Sequence, residues 1–388
     1  MTSIEPGSVL GVLGGGQLGA MFVSAASRLG FHVAVWDPDM DAPAHRLAAH
    51  SFAKPFTDQE ALSDFSRLVS VVTYEWENVP AHLCAQLERY KPVRPSSAVL
   101  RTVQDRVEQK RFLIEQGLPV PAFAALTSAD QLGEVVRSIG FPAMCKTTTA
   151  GYDGKGQWRI GGEADLSEVE RSLRAMVHTG MRWIVEAFVP FERELSILIA
   201  RVTDGRAVVY PVAENEHEEG ILRMTIVPAA VPQAVVARAE ELARSVAEKM
   251  GAIGLMCLEL FQLPDGRLLI NEVAPRPHNS GHYTLDACRV SQFEQQVRAV
   301  CEWPLGEVHL QRPAAMVNLI GEDANRILTD SECRTLLDLQ DTHLHLYGKR
   351  TIRARRKMGH VTFLADQRTI VKDRADRFRR CLSVKPLP

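Results

Sequence analysis

The sequence lacks the features that mark several protein classes. No apolar run approaches the roughly 20 residues that a membrane helix needs. The seven cysteines (Cys84, Cys145, Cys257, Cys288, Cys301, Cys333, Cys381) form no C-x-x-C pair and are odd in number. They argue against a disulfide framework and against a zinc site, and are expected to be reduced, buried thiols of a cytosolic protein. Neither sign of charge prevails: 45 Lys and Arg stand against 47 Asp and Glu. There is no basic field to hold a nucleic-acid backbone, so an anionic ligand must be held by local positive groups. The opening MTSIEPGSVLGVLGGGQ has no basic start and no long apolar run, so no signal peptide is expected. A cytoplasmic protein that touches neither membrane nor nucleic acid is the expectation. No internal repeat or low-complexity tail is present.

What is there points to two or three domains, because 388 residues exceed one typical core. Val9 to Leu13 reads as a buried strand, Gln17 to Leu29 as a helix with Leu18, Met21, Phe22, Ala25 and Leu29 on one face, and Phe31 to Trp36 as a second strand. Strand, helix, strand at this length is a βαβ unit and implies a parallel sheet, with Leu68 to Thr73 as a later strand. Pro92, Pro95 and two serines mark a boundary near Arg94 to Ala98, and Val99 to Glu115 reads as one helix. The middle third has strand-like runs at Phe141 to Lys146, Trp183 to Val189, Glu194 to Val202, Ala207 to Val212, Met256 to Gln262 and Leu268 to Val273. Pro264-Asp265-Gly266 joins the last two as a hairpin, which suggests an antiparallel sheet. Helices are expected at Pro232 to Met250 and Ser291 to Cys301. Two alternating runs, Met316 to Ile320 and His343 to Tyr347, precede a basic hairpin-like segment at Lys349 to His360.

Gly14-x-Gly16-x-x-Gly19 follows the first strand and opens the first helix, and Asp37 ends the next strand. This fits a dinucleotide-binding fingerprint, so a nicotinamide-dependent dehydrogenase is a genuine rival. Physically the glycines say less. They permit a tight turn and the approach of any phosphate ester to a helix N-terminus.

A second constellation lies downstream. Lys146 ends a strand, and GYDGKGQ (Gly151 to Gln157) follows with three glycines around Lys155. Such a loop can fold backbone N–H groups over a polyphosphate while Lys146 and Lys155 supply charge. For Lys155 alone, a surface lysine on a turn is the plainer reading. Glu259 and Glu272 sit in apolar strands that a hairpin can bring face to face. With the amide oxygen of Asn271 they make hard ligands suited to Mg²⁺. Two such carboxylates without a cation would be costly to bury. In WIVEAFVPFERELS, the strand end after Glu186 offers backbone to an adenine edge, and Glu194 can accept from ribose hydroxyls. In APRPHNSGHYT, Arg276, His278, Asn279 and Ser280 are donors between prolines, the composition of a small-anion pocket.

Taken in order, GGGQLG, GYDGKGQ, EGILR (Glu219 to Arg223), NEVAPRPHNSGH (Asn271 to His282), SQFE (Ser291 to Glu294) and RKMGH (Arg356 to His360) resemble the ATP-grasp superfamily. The combination of PRPHNSGH and RKMGH is similar to its N5-carboxyaminoimidazole ribonucleotide synthase branch, the ATPase subunit of phosphoribosylaminoimidazole carboxylase. The resemblance runs over nearly the whole chain. It implies an α/β and α+β architecture: an N-terminal parallel α/β (pre-ATP-grasp) domain over 1–98, a two-lobed grasp over 99–308 and a small β-rich C-terminal domain over 309–388. Within the grasp, the flap subdomain would span about 122–188 and the antiparallel lobe about 189–308.

The resemblance also implies roles. Arg106 and Lys146 would contact ATP phosphates under the flap (Gly151, Tyr152, Asp153, Gly154, Lys155, Gly156, Gln157). Glu186, Ala187, Val189 and Glu194 would bind adenine and ribose, and His217 would lie near the terminal phosphates. Glu259 and Glu272 would hold Mg²⁺ with Asn271 beside them. Gly16, Gln17, Leu18, Tyr74 and Glu75 would line the site for 5-aminoimidazole ribonucleotide, with Lys349 and Arg356 on its 5′-phosphate. Arg276, His278 and Asn279, with Lys146, would act where bicarbonate or carboxyphosphate reacts. His278 and Glu75 are both open as a general base. A homodimer is implied. The family usually has Gly before the final Arg-Lys; here Arg355 stands there, which implies a different turn and a residue placed to share the role of Arg356. Against this stand another ATP-grasp ligase (glycinamide ribonucleotide transformylase or biotin carboxylase), the dehydrogenase, and a non-catalytic nucleotide-binding relative.

Overall fold

A computed structural model describes residues 3–149, 156–176 and 181–383. The chain opens with a four-stranded parallel sheet in the order His50–Phe52, His32–Trp36, Val9–Leu13, Val71–Tyr74. Leu10, Val12 and Leu13 of the central strand are all fully buried. The absence of alternation in the sequence thus reflects a strand covered on both faces. The helix Gln17–Arg28 buries Leu18, Phe22, Val23, Ala25 and Ala26. It shares a core with Phe293, Val297 and Val300 of the helix Gln292–Val300, so the middle of the chain docks directly on the N-terminal sheet.

The single helix expected over Val99 to Glu115 is two, Ser97–Gln104 and Arg106–Glu115. Asp105 between them is extended (φ −110°, ψ 118°). Its Oδ1 accepts from the N–H groups of Val107 (2.9 Å) and Glu108 (3.2 Å), an N-cap that competes successfully with helix continuation. Its other oxygen accepts from Arg182 at 2.6 Å. The break has a consequence for the site: Arg106 and Lys110, four apart, leave the new helix start on one face.

A four-stranded antiparallel sheet follows in the order Phe123–Leu126, Trp183–Ala187, Ala143–Thr147, Gln157–Ile160. Helices Leu132–Ile139 and Glu163–Met176 cover it. The larger antiparallel sheet runs Leu268–Ala274, Gly254–Gln262, Arg193–Arg201, Ala213–Glu218, Ile221–Val227, Ala314–Ile320, Lys357–Leu364, Thr342–Leu346, with Ala207–Val209 paired to Arg193–Arg201. The last part of the chain therefore extends the central sheet, through Ile221–Val227 against Ala314–Ile320. The basic segment is a loop and then a strand. The hairpin partner of Lys357–Leu364 is Thr342–Leu346.

This last part also carries three helices that the sequence reading did not anticipate: Asp323–Thr329, Ser331–Leu337 and Arg368–Ser383. Arginines crowd the third, yet Val371, Ala375, Phe378 and Leu382 make a buried stripe at helical spacing against the sheet. Among the described residues, no helix is long and apolar enough to cross a membrane.

The cap at Asp105 gives a direct test. Asp105→Ala should lose about 1 kcal/mol in urea denaturation from the cap alone, while Asp105→Asn, which still accepts from the N–H groups, should recover most of it. An unchanged midpoint in the alanine variant would remove the cap as the cause of the break.

Candidate active site

The N-terminal sheet, the two central sheets and the loop before Lys357 close around one cavity of about 740 Å³. At one end the hairpin of Gly254–Gln262 and Leu268–Ala274 sets Glu259 directly opposite Glu272. Leu260 then pairs with Ile270, so Asn271 is an extra, bulged residue. A bulge re-aims side chains that strict alternation would send to opposite faces. Here both Asn271 and Glu272 line the cavity with Glu259. Glu272 pairs with Arg106 (2.6 Å) and Glu259 with His278 Nε2 (3.0 Å). The Asn271 Oδ1 is buried and has no partner. Two carboxylates and an orphaned amide oxygen on one face fit a hard divalent cation with oxygen ligands.

Beside them, Lys146 and Glu186 stand on neighbouring strands as a diagonal pair, since Lys146 lies opposite Ile184. Glu186 is 3% exposed and is held by Lys146 Nζ at 2.6 Å and Lys110 Nζ at 3.2 Å. Burial alone would raise its carboxyl, but Lys146, Lys110 and Arg106 outweigh burial and hold it at about 2. Ala187 and Val189 line the cavity next to Phe188, and Phe191 stacks on Phe261 with centroids 4.8 Å apart. Glu194 pairs with His217 Nδ1. Burial opposes charge on His217, but Glu194 and Glu259 prevail and raise its pKa. Burial opposes charge on His278 too, but Cys257 and Glu259 lift it well above its ordinary range.

Of the flap, Gly151, Tyr152, Asp153, Gly154 and Lys155 lie outside the described residues. Gly156 has φ +68°, and a Cβ there would stand 2.7 Å from Thr147 Oγ1, so both backbone and space require glycine. Gln157 lines the cavity.

The glycine turn is occupied from within. The Gly15 N–H donates to Asp37 at 2.6 Å, and those of Gly16 and Gly19 donate to Glu75 at 2.8 and 3.3 Å. A Cβ on Gly14 or Gly16 would come within 2.9 or 2.8 Å of Glu75 Oε1. The glycines thus admit a carboxylate of the protein itself, and Asp37 points back at the loop where a dinucleotide ribose would need it. Gly16, Gln17 and Leu18 still line the cavity, as does Glu75. Tyr74 does not. It is 1% exposed, inside the core of the N-terminal sheet, with its hydroxyl buried. Strand alternation sends Glu75 to the cavity and its neighbour inward.

Arg276 pairs with Glu77 at 2.9 Å. Asn279 is buried with both amide atoms unpartnered. At the far end, Lys349 and Arg356 line the cavity and an adjoining basin of about 430 Å³ that also includes Arg350, Arg353, Arg355 and Lys357. Arg355 reaches across to Glu219, donating to its carboxylate (3.1 Å) and its carbonyl (2.8 Å). It ties the loop to the central sheet as well as lining the basin.

Three family models cover the chain in order. They are a ribonucleotide synthetase preATP-grasp domain over residues 8–104, an ATP-grasp domain over 111–293 and a phosphoribosylaminoimidazole carboxylase C-terminal domain over 314–374. An N5-carboxyaminoimidazole ribonucleotide synthase of Bacillus subtilis (strain 168) is 38% identical over 93% of this chain and 92% of its own. The solved ADP complex of an N5-carboxyaminoimidazole ribonucleotide synthetase superposes with a TM-score of 0.92 at 38% identity, covering 98% of both chains. A synthase from Aspergillus clavatus, solved with ADP and 5-aminoimidazole ribonucleotide, gives 0.88 at 29% identity over 97% of this chain and 98% of its own. The chain belongs to the N5-carboxyaminoimidazole ribonucleotide synthase family.

For a synthase of this family the site contains residues that sequence reasoning passed over. Lys110 was legible as the i+4 partner of Arg106, but only once Asp105 is recognised as a cap. Glu77, the partner of Arg276, sits in a loop with no periodic signal. Trp76 and Asn78 join it on the cavity wall.

The Glu186 carboxyl, ordinarily near 4.5, is held at about 2 in the folded chain. A lowered pKa contributes stability that is complete above the unfolded value and is lost as pH falls toward 2. Glu186→Gln should therefore cost about 3 kcal/mol at pH 7, taking roughly 1.4 kcal/mol per unit. It should also flatten the loss of wild-type stability between about pH 4.5 and 2. Denaturation midpoints with pH slopes equal in both proteins would contradict the assignment.

Proposed function

We propose that the chain uses ATP to activate bicarbonate and transfers the carboxyl group to the exocyclic amine of 5-aminoimidazole ribonucleotide, giving the N5-carboxyamino product, ADP and phosphate in purine biosynthesis. The observation that carries this is one continuous cavity with two chemically different ends. Acidic ligands and Lys146 suit a nucleotide polyphosphate; Lys349, Arg356 and the basic basin suit the phosphate of a ribonucleotide. The filled glycine turn removes the main support for a dehydrogenase. A homodimer working in the cytoplasm accompanies this reading through the family resemblance.

Bicarbonate is a poor electrophile, and phosphorylation makes its carbon reactive. A bicarbonate oxygen attacks the γ-phosphorus in line and ADP leaves. The amine nitrogen then attacks the carbonyl carbon of carboxyphosphate, or carbon dioxide released from it, and inorganic phosphate departs. Mg²⁺, held by Glu259 and Glu272 with Asn271 beside it, would supply charge neutralisation on the transferring phosphoryl group. Lys146 is already fixed by Glu186, so it meets the phosphates with little reorganisation. Arg106 trades its pairing with Glu272 for a phosphate oxygen. Arg276 and Asn279 bind bicarbonate, and His278, whose Nε2 pairs with Glu259, stands beside them; His278 and Glu75 are the two candidates for the base. Glu186 acts through Lys146, and the strand backbone from Glu186 through Ala187 to Val189 faces the adenine. The walls exclude water, which would destroy the intermediate.

ADP release from ATP, Mg²⁺ and bicarbonate should rise strongly when 5-aminoimidazole ribonucleotide is added, and Glu272→Ala should abolish it in a folded protein. Retained turnover in that variant would sink the metal assignment. Arg276→Ala should cost about two to three powers of ten in turnover, like loss of an oxyanion-hole donor. Lys349→Ala should raise the KM for ribonucleotide more than that for ATP; equal effects on both would contradict a phosphate grip.

A further inference from the structure

Two histidines of the most telling sequence motifs, His282 of PRPHNSGH and His360 of RKMGH, take no part in the cavity. Both are fully buried. His360 belongs instead to a cluster on the outer part of the large sheet. His343 and His345 are two apart on the strand Thr342–Leu346 and so project from the same face. His360 lies directly across from His345 in the neighbouring strand. Asp286, from the short helix Thr284–Ala287 of the central lobe, stands over all three. His345 Nε2 is 3.1 and 3.0 Å from the two Asp286 oxygens, and His343 Nδ1 is 3.7 Å from one of them. One ligand atom each from Asp286, His345 and His360 lie within 4.8 Å of one another.

We propose that Asp286, His343, His345 and His360 form a binding site for a divalent transition-metal ion of the zinc class, separate from the Mg²⁺ site of the reaction. Three imidazoles and one carboxylate are a preferred tetrahedral set for such an ion. This set needs no thiolate, so the scattered cysteines have no bearing on it. A second observation points the same way. The Nε2 of His360 is buried without a partner, while its Nδ1 is 2.8 Å from the Tyr347 hydroxyl. A metal-bound histidine is oriented in this manner: one nitrogen is fixed by an outer hydrogen bond and the other is left for the ion. Burial also holds His360 neutral, with His282 and His345 pushing in the same direction, and a neutral imidazole is the ligand form. His343 and His345 are partly exposed and give an entry path.

The His345 and His360 rings now stack, with centroids 4.4 Å apart and planes 13° from parallel. To converge on one ion the partly exposed His345 ring must turn about χ2, a broad torsion for histidine, while Tyr347 holds the His360 ring in place. The bound ion would pin the strand Thr342–Leu346 to the central lobe. That strand runs through Tyr347 and Gly348 into Lys349, so the ion would steady the loop proposed to grip the ribonucleotide phosphate.

The test uses the full chain on a Glu259→Gln background, which removes one carboxylate of the catalytic metal site so that zinc binds there weakly. Equilibrium dialysis against Zn²⁺ should then show one equivalent bound per chain. Co²⁺ in its place should give the intense visible absorption of a tetrahedral complex. His345→Ala and His343→Ala, both at partly exposed positions, should weaken Zn²⁺ binding at least tenfold and lose the Co²⁺ spectrum. Zn²⁺ should raise the melting temperature of the Glu259→Gln chain and leave that of its His345→Ala derivative unchanged. Zinc stoichiometry that does not change in both histidine variants, or no binding at micromolar Zn²⁺, would overturn the site and leave Asp286 as a counter-ion for His345.

Discussion

A buried carboxylate that must be matched by cations sets the geometry of this site. Glu186, almost inaccessible to water, can remain ionised only because Lys146 and Lys110 reach it from two different elements. That requirement fixes the strand pair carrying Lys146 and Glu186. It also fixes the helix carrying Lys110, and therefore Arg106 one turn earlier. The same logic extends across the cavity: Arg106 answers Glu272, His278 answers Glu259 and Arg276 answers Glu77. In this structure the acids and bases hold one another in place, and anionic ligands would enter by taking over the cations. Preorganisation of this kind lets electrostatics act without a large rearrangement at the moment of reaction.

Much of this was legible in the residue order. The first strand, the parallel βαβ start, the Glu259–Glu272 hairpin and the helices near Pro232 and Ser291 follow from periodicity and turn chemistry, and they stand where the pattern put them. What was not legible depended on contacts distant in sequence. Nothing local says that Glu75 fills the glycine turn 59 residues earlier, so the motif looked equally ready for a dinucleotide. Strand parity would have separated Tyr74 from Glu75, but the strand end could not be fixed to within one residue. The bulge at Asn271 defies simple alternation. The helix Arg368–Ser383 was hidden because its charged residues outweigh a narrow apolar stripe that only the sheet beneath makes meaningful.

The glycine turn shows how a motif can be right in geometry and misleading in chemistry. Its glycines are needed because something approaches closely, but what approaches is a side chain of the same protein. Arg355 makes a related point. The resemblance leads one to expect glycine there, and the structure shows the larger residue reaching Glu219 in the turn between the strands Ala213–Glu218 and Ile221–Val227. Its charge does double duty in anchoring the loop and in enriching the basic basin.

The central claim is that the acidic and basic groups at the nucleotide end activate bicarbonate itself, and not water. The most direct measurement is the fate of oxygen from ¹⁸O-labelled bicarbonate during turnover with ATP and 5-aminoimidazole ribonucleotide in unlabelled water. If bicarbonate attacks the γ-phosphorus, the inorganic phosphate released carries one ¹⁸O atom. Phosphate with no label, its new oxygen drawn from water, would contradict the account.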